Sequence, residues 1–520
     1  MKKIFILLLC LIPCFIQAQS IQVSGKVTEK DGAPLQGVTV TAESGSVAVS
    51  DAEGNFSISA ARNEQLTFTY TGMKRQVIKV TDAVISIVME KEALVMDDIV
   101  VVGYGTMRKS DLTGAISSIK GNQLTKLSAV DINQSLQGKA AGVNVINNSG
   151  EPGAGTKIRI RGTGSVNNSD PLYVVDGFPV NDISHIAPND VESIEILKDA
   201  SAVAIYGSRG ANGVIMVKTK KGTYNQKTRV NVNVFGGATE IAKKIDMLND
   251  HEFATLKLEA LKNANLTPSV AMQSILDYVI ANKSVGTNWQ DEILQTGYTT
   301  NYNVNVSGGS EKNKFDIGGT YSKEEGLVKN TFLDKYMVHV NNEYKLAKKV
   351  ELGVNAAFTT YKKSGNDGDF YSGSLTQALK ADPVSAAWDN YTNEFGEIYF
   401  SYGRNPAQSA YENKFRKGGD DRIIANAYMQ INDIGIKGLS FRAQYGRQYI
   451  WSKSRSYYPV YYITADQQRD ISSLTESRSD NIYWNTNEYF SYVNTFGKHS
   501  VNATLGVEAQ KSWSSNMYAK

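Results

Sequence analysis

The chain has 520 residues, more than one ordinary hydrophobic core takes up, so several domains are expected. Fifty-five Lys and Arg nearly balance 52 Asp and Glu, which leaves no basic excess to bind nucleic acid. Tyr (28) and Gly (44) are frequent and Pro (10) is scarce, which favours β structure over disordered linkers.

The chain opens on "MKKIFILLLCLIPCFIQAQS". Two lysines, an apolar run from Ile4 to Ile16 and Gln17-Ala18-Gln19 read as a secretory signal peptide, residues 1–18, cut after Ala18. The apolar part is too short for a comfortable membrane span. A lipoprotein reading through Cys14 is weaker, because Pro13 stands where a small residue belongs. Both cysteines, Cys10 and Cys14, lie in this leader, so the mature chain is expected to carry no disulfide or thiol chemistry. No later apolar run approaches the ~20 residues of a membrane helix. Two addresses remain open: a soluble exported protein, or a membrane β-barrel, whose lipid-facing residues are spread over alternate positions.

Residues 19–91 alternate short apolar-periodic runs with turn residues. "IQVSGKVTEKDGAPLQGVTVTA", "SDAEGNFSISA", "EQLTFTYTG" and "QVIKVTDAVISIVME" give strands at the spacing of a β-sandwich. The stretch resembles the carboxypeptidase-regulatory-like domain through Gly25-Lys-Val27, Gly32-Ala-Pro34-Leu-Gln-Gly37-Val38 and Asp51-Ala-Glu-Gly54-Asn-Phe56. A docking module and a spacer are both open as its role.

Residues 92–109 contain "DDIVVVGYGTMRK". Ile99 to Val102 are β-branched and strand-like, between two aspartates and a Gly-Tyr-Gly. Residues 110–222 then read as a compact α/β unit. "DINQSLQGKAAGVNVI" is a helix running into a strand, and "IRIRGTGS" is a strand ending in glycines. "DPLYVVDGFPV" is a strand and tight turn, and "DVESIEILKDASAVAIYGSRGANGVIMVKTKKG" runs strand, short helix, Gly-rich loop, strand.

From residue 228 the texture changes. Nine segments alternate in polarity, near 228–238, 300–310, 313–323, 335–346, 348–361, 422–433, 437–450, 481–496 and 498–512. Tyr302, Val304 and Val306 alternate with Asn301, Asn303 and Asn305, and Val350, Leu352, Val354, Ala356 and Phe358 share a face. Such strands suit a barrel with lipid outside and a wet interior, or a sandwich with one wet face. The connections decide between them. In order they are long (239–299), short (308–313), long (323–335), short (346–349), long (362–421), short (433–437), long (451–481) and short (496–499). Alternation of tight turns with long loops is the habit of a membrane barrel. The first connection holds "MLNDHEFATLKLEALKNA", helical in period, with Asn249 or Asp250 as cap.

Catalytic chemistry finds little support. "HEFAT" lacks the second histidine of a zinc-protease helix, and His185, His251, His339 and His499 are scattered singly. "GTGSVN" has no phosphate-binding Lys-Ser/Thr, and its glycines read as a tight turn. Asp176 in "VVDGF" reads as a turn aspartate rather than an acid catalyst.

"MDDIVVVGYGTMRKSDLTGAISSI", "DPLYVVDGFPV" and "DVESIEILKDASAVAIYGSRGANGVIMVKTKKG" are long, specific motifs. Through them the chain is similar to the SusC/RagA family of TonB-dependent outer-membrane transporters. The resemblance implies a mainly β fold: an N-terminal β-sandwich, an α/β plug at 110–222, and at 223–520 the first part of an antiparallel transmembrane β-barrel, incomplete in this chain. It makes Asp97, Asp98, Ile99, Val100, Val101 and Val102 the segment that TonB grips. It makes Tyr173, Asp176, Gly177, Tyr206, Gly207, Arg209, Gly210, Asn212 and Gly213 the plug motif.

It further implies import of a large nutrient, an oligosaccharide before a peptide, across the outer membrane. The expected partners are TonB with its inner-membrane energising complex, a SusD-like surface lipoprotein and outer-membrane lipid; no nucleic acid, cofactor, metal or enzymatic activity is expected. The rival from another class is a non-transporting adhesin or signalling receptor. A plugged barrel of this kind needs about 22 strands, against nine here, and "SSNMYAK" lacks a terminal aromatic, so a fragment or truncated reading frame is expected. Entry of the plug from the periplasm would put the long connections outside and the short turns inside. Tyr371, Trp388, Tyr391, Trp451, Tyr457 and Tyr458 in the long connections read either as sugar-stacking rings or as an interfacial girdle and loop packing.

Overall fold

A computed structural model describes residues 20–29, 32–70, 73–90, 99–102, 105–108, 116–125, 130–147, 149–164, 169–282, 286–365, 373–390, 394–400, 403–464, 467–497 and 499–520. The leader lies outside these residues. The chain divides into two compact units, 1–99 and 100–520.

The first unit is a β-sandwich. One sheet orders Asn55–Ala61, Ser20–Glu29 and Val84–Met89; the other orders Val47–Val49, Thr39–Ala42, Gln65–Thr69 and Gln76–Lys79. Strict alternation sends Phe56, Ile58 and Ala60 inward from one strand and Leu66 and Phe68 from another. Phe56 and Phe68 meet edge-on at 5.3 Å across the two sheets. The last two strands, adjacent in sequence, go to different sheets. Val84–Met89 instead lies parallel to Ser20–Glu29, so close that a Cβ on Gly25 would stand 1.8 Å from the Ile85 carbonyl oxygen. This explains the glycine in the Gly25-Lys-Val27 pattern.

Ile99–Val102 belongs to neither sheet of the sandwich. It forms a two-stranded sheet with Gly105–Arg108. Asp97 and Asp98 lie outside the described residues.

The second unit contains a mixed five-stranded sheet in the order Ile116–Lys120, Val191–Leu197, Val214–Thr219, Leu172–Val175, Phe178–Val180, with a separate hairpin of Val143–Asn147 and Thr156–Ile160. Leu172–Val175 runs parallel to Val214–Thr219 and the other pairings are antiparallel. "DINQSLQG" starts a helix at Ile132–Ser135, with the Asp131 side chain accepting from the Asn133 N–H. Ile119, Ile132, Leu136, Ile158, Ile183, Ile194 and Ile215 form an apolar core that comes almost wholly from this domain, with Ile424 of the neighbouring nine-stranded sheet joining at its edge.

Around it stands a nine-stranded antiparallel sheet in chain order: Arg229–Thr239, Gly297–Gly309, Asn313–Glu325, Phe332–Ala347, Val350–Ser364, Arg416–Ile431, Leu439–Tyr458, Ser473–Phe496 and His499–Ala519. All nine expected segments are strands. The alternation has the anticipated sense: Asn303 is 3% exposed and turned to the mixed-sheet domain, while Val304 beside it is 46% exposed. Val338, Val340, Val354, Phe358 and Ile423 form an outward apolar row, the pattern expected of a lipid-facing barrel wall. Among the described residues no helix is long and apolar enough to cross a membrane.

The long connections are shorter than the sequence pattern indicates. Asn313–Glu325 and Phe332–Ala347 leave only 326–331 between them, against the expected 323–335, and Ser473–Phe496 extends 24 residues. A strand tilted through the bilayer needs about 9–11 residues. Beyond that height both faces are wet and the apolar alternation that marks a strand disappears. Cross-strand ion pairs such as Lys453–Asp421 (3.2 Å) and Arg455–Glu476 (3.5 Å) occupy the extensions instead. The first connection holds three helices rather than one: Asp250–Asn263, Val270–Asn282 and Trp289–Ile293. Asn249 caps the first, in a capping box with Glu252.

Candidate functional site

The seam between the mixed-sheet domain and the nine-stranded wall is polar almost throughout. The expected tight turn at Asp176-Gly177 has both residues at positive φ (49° and 85°), the backbone of a type I′ hairpin turn. Asp176 is a turn residue with a second task. Its carboxylate accepts from the Thr219 N–H (3.1 Å) and hydroxyl (2.5 Å). Asn341 of the wall donates to that Thr219 hydroxyl (3.1 Å) and to the Lys220 carbonyl (2.8 Å). Gln444 of the wall donates to the Asp176 carbonyl (3.3 Å).

A second set grips the segment 182–190. Arg422 pairs with Asp182 (2.9 Å) and donates to His185 Nδ1 (3.0 Å), Thr359 donates to the His185 carbonyl (3.1 Å), and Lys335 donates to the Ser184 carbonyl. Burial, then the Arg422 charge, hold the His185 imidazole down to about 3, so it is neutral and accepts from the guanidinium. Burial opposes ionisation of Asp182, but the Arg422 guanidinium outweighs it and keeps the carboxyl below its ordinary value. Further along, Asp190 accepts from Asn303 (3.3 Å) and meets His339 Nδ1 (3.0 Å), whose other ring nitrogen faces Asp316 (2.7 Å). The scattered histidines His185 and His339 thus both lie at this seam. Neither is in a group with metal-binding geometry among the described residues.

The first unit and the mixed-sheet domain each match a family model. Residues 108–214 match the TonB-dependent Receptor Plug Domain, and residues 23–101 the CarboxypepD_reg-like domain. TonB-dependent receptor P3 of Formosa agariphila is 34% identical over 541 residues, covering 100% of this chain and 51% of its own. TonB-dependent receptor SusC of Bacteroides thetaiotaomicron is 28% identical over 526 residues, covering 95% and 50%. Along its whole length the chain is a homologue of SusC and other TonB-dependent receptors. It spans about half the length of these curated relatives. Solved structures of the RagAB peptide transporter, and of the RagAB peptide importer in its open-open state, share the fold. Their TM-scores are 0.65 and 0.67 at 23% identity; they cover 78% and 81% of this chain, which covers 49% and 50% of theirs. This family consists of receptors and transporters, not enzymes.

Within the receptor, the plug-motif residues divide by task. Tyr173 is buried in the plug sheet, and Tyr206 donates to Met216 Sδ at 3.7 Å. Gly213, at φ 89°, sits where a Cβ would press on Ile160, and Gly210 packs against Val203. Gly207 has φ 55°, and Asn212 donates to the Asp170 carbonyl (3.4 Å). These residues hold the plug's own fold. Asp176, Gly177 and Arg209 face the wall, Arg209 pairing with Glu508 (3.1 Å) and Gln510 (2.5 Å). Asp182, His185, Asp190, Lys335, His339, Gln444 and Arg422 carried no local motif and were missed. Lys335, His339, Arg422 and Gln444 signal themselves only as long polar side chains on the wet face of a barrel strand, and Asp182, His185 and Asp190 lie between the plug strands Phe178–Val180 and Val191–Leu197, where no periodic pattern marks them.

Apolar contacts punctuate the polar seam: Ile424 of the wall joins the plug's core, and Leu333 lies against Gly153. The Phe178 ring lies over Gly446 of the wall, where a Cβ would be 2.2 Å from ring carbon Cδ2, and Tyr483 closes its other side at 5.7 Å. Gly446→Leu is expected to unseat this ring at a cost of about 1–3 kcal/mol, the usual range for overpacking. Hydrogen exchange in Leu172–Val180 should rise in the purified receptor, and adding Phe178→Ala should reverse part of the rise. No change in that segment counts against the contact as an anchor.

The four long connections gather at one end. Trp289 donates to the Asp382 carbonyl (2.8 Å), Lys329 to the Glu292 carbonyl (2.6 Å) and Asn330 to the Ala410 carbonyl (3.2 Å). Trp289, Ile293, Ala378, Ile398 and Ala410 give this loop layer an apolar core of its own. The plug chain leaves at the opposite end, where the Asn225 N–H donates to the carbonyl of Ser310 (3.1 Å) in a short turn. Of the loop aromatics, Trp451 stacks on Tyr449 (5.5 Å, 8°) on a barrel strand, as in a girdle. Trp388 and Tyr457 join the loop layer, and Tyr371 and Tyr391 lie outside the described residues.

Proposed function

We propose that this receptor works in TonB-dependent import of a large nutrient, an oligosaccharide in preference to a peptide, across the outer membrane. The observation that carries the reading is the contrast between the plug's apolar interior and its polar seam with the wall. The neutral hydrogen bonds of the seam can exchange protein partners for water at little net cost, about 0.5–1.5 kcal/mol per bond, while its few ion pairs, Arg422–Asp182 and Arg209–Glu508 among them, hold it more firmly. An apolar core cannot. The plug is therefore a module that can shift from the wall as a body or in part while its own sheet persists. The outer membrane holds no ATP, so the work would come from TonB, pulling at Asp97 to Val102.

The loop-layer end would face outward and the short-turn end the periplasm, where the plug chain leaves and TonB has access. A SusD-like surface lipoprotein would cover the loop layer. The peptide reading draws on the fold-level likeness to the RagAB peptide transporter. The rival reading, an adhesin or a receptor that only signals, needs no movement of the plug. Deleting tonB in the host separates them: nutrient uptake through the full-length receptor should stop while binding at the cell surface persists. Uptake that continues at the same rate sinks the import reading.

A further inference from the structure

The outward face of the wall changes character where the apolar band ends toward the loop layer. There Tyr302, Tyr321 and Tyr336 lie in register, their rings 6.3 and 4.7 Å apart, and Trp451 continues the same register row farther round the sheet. Such a row is the aromatic girdle of a barrel strand set. Two residues farther along each strand the register row becomes Lys323, Asp334, Lys362, Gly419, Lys453 and Arg478. Lys417, Arg455 and Glu476 stand in the row after that. Gly419 gives the rows a bare floor, because a Cβ there would be 2.2 Å from the Tyr361 carbonyl oxygen. A groove of about 380 Å³ opens over it. Lys453 is two residues beyond Trp451, about 7 Å along the strand, which is the depth of a lipid headgroup layer of about 5–8 Å.

The lining carries six cationic side chains, Lys362, Lys363, Lys417, Lys453, Arg455 and Arg478, against three carboxylates, Asp334, Asp421 and Glu476. Asp480, two residues from Arg478 on the same face, is a fourth acid nearby. These acids answer only part of the positive charge. Asp421 pairs with Lys453 (3.2 Å) and Glu476 with Arg455 (3.5 Å), and Asp334, opposite Lys362 in register, accepts from the Tyr321 hydroxyl (3.3 Å). Lys362, Lys417 and Arg478 make no ion pair among the described residues. The register also sets like charges directly opposite each other twice, Lys417 against Arg455 and Lys453 against Arg478. Such pairs destabilise a sheet, and a rim built only for solubility would intersperse the signs. An anion held between them removes the repulsion. Immediately below, the same face runs on as Trp451, Ile423 and Phe358, so an anion seated here has an apolar wall beneath it. Lysine stems can lie along that wall with their ammonium groups at headgroup height.

We infer that this groove holds a phosphate group of an outer-leaflet lipid whose acyl chains lie on the apolar band below. The inference rests on the orientation proposed above for the leaflet it meets, and on the groove alone for its chemistry. Native mass spectrometry of the delipidated full-length receptor in detergent tests it, with monophosphoryl lipid A as the probe. The comparisons are the same lipid without its phosphate, phosphatidylglycerol, inorganic phosphate and hexaglutamate. Lipid A should bind saturably and the dephosphorylated lipid more weakly, and neither inorganic phosphate nor hexaglutamate at equal concentration should displace it. Lys362→Gln, Lys417→Gln and Arg478→Gln should each weaken binding about fivefold, the contribution of one cation beside an anionic leaflet. Arg478→Lys should keep most of it. Lys323→Gln, in the same row but paired with Glu325 (2.7 Å), should change nothing. The thermal unfolding midpoint of each variant shows that it is folded. Lipid A binding indifferent to its phosphate, indifferent to the three glutamine substitutions combined, or displaced by hexaglutamate overturns the inference. Tighter binding of phosphatidylglycerol overturns the assignment to the outer leaflet. The import reading fails separately: phosphate-dependent lipid A binding with TonB-independent uptake removes the import mechanism only.

Discussion

Deletion of residues 97–102 from the full-length receptor should abolish nutrient uptake and leave surface binding intact. This is the largest effect expected of any change in the chain, because on the proposed mechanism it would uncouple the plug from TonB without touching the loop layer. Ile99–Val102 forms a two-stranded sheet with Gly105–Arg108 and no part of the larger sheets. An isolated two-stranded ribbon is marginally stable in water, so a partner strand can add to its edge or take its place at small cost. Main-chain hydrogen bonds then carry the pull, as in other strand-addition complexes. A single substitution distinguishes that mechanism from simple loss of side chains. Val101→Pro removes an N–H and blocks the ladder, so uptake should fall as in the deletion. Val101→Ile keeps the extended backbone and should retain uptake. Normal uptake by Val101→Pro would falsify main-chain capture at this segment.

Arg422→Met should release the segment 182–190 from the wall. Arg422 is 7% exposed, and its guanidinium holds Asp182 and His185 at 2.9 and 3.0 Å. Its removal leaves a carboxylate and an imidazole without their partner. Breaking a fully buried pair costs about 3–5 kcal/mol. The Asp182 side chain keeps 37% of its surface exposed, so a loss of roughly 1–3 kcal/mol is expected here. Proteolysis or hydrogen exchange at 182–190 reads it. Acid should do the same to the unaltered receptor. His185 has an ordinary value of 6.5 and a seated value of about 3, so the seated plug binds fewer protons than the released one between those limits. Its contribution is whole above pH 6.5 and is lost as pH falls towards 3. The depressed Asp182 carboxyl adds loss of the same sign at the lower end. Exchange at 182–190, divided by the intrinsic amide rate at each pH, should therefore rise between pH 7 and pH 5, and less so in His185→Gln. Exchange that is flat with pH, or equally steep in that variant, removes His185 from the seam's pH response.

The sequence alone determined the architecture because its signals are local. A strand with lipid on one side and water on the other alternates residue by residue, so all nine wall strands were visible, down to Val304 outside and Asn303 inside. The Asp176-Gly177 turn was visible because a type I′ turn demands positive φ at both positions. Asn249 with Glu252 announced a helix start for the same local reason. Strand length was invisible where the wall rises past the membrane, since two wet faces leave no alternation. What only the tertiary structure decided is which distant polar residues meet. Arg422 and His185 stand 237 positions apart and Asn341 and Thr219 stand 122 apart. Their pairing depends on how the plug is inserted and rotated in the barrel. The run from Trp388 to Tyr411, tied by Asn405, is likewise a product of loops packing on one another. Periodicity records the solvent on each side of a segment; it carries no information about which segment faces it across a lumen or a cavity.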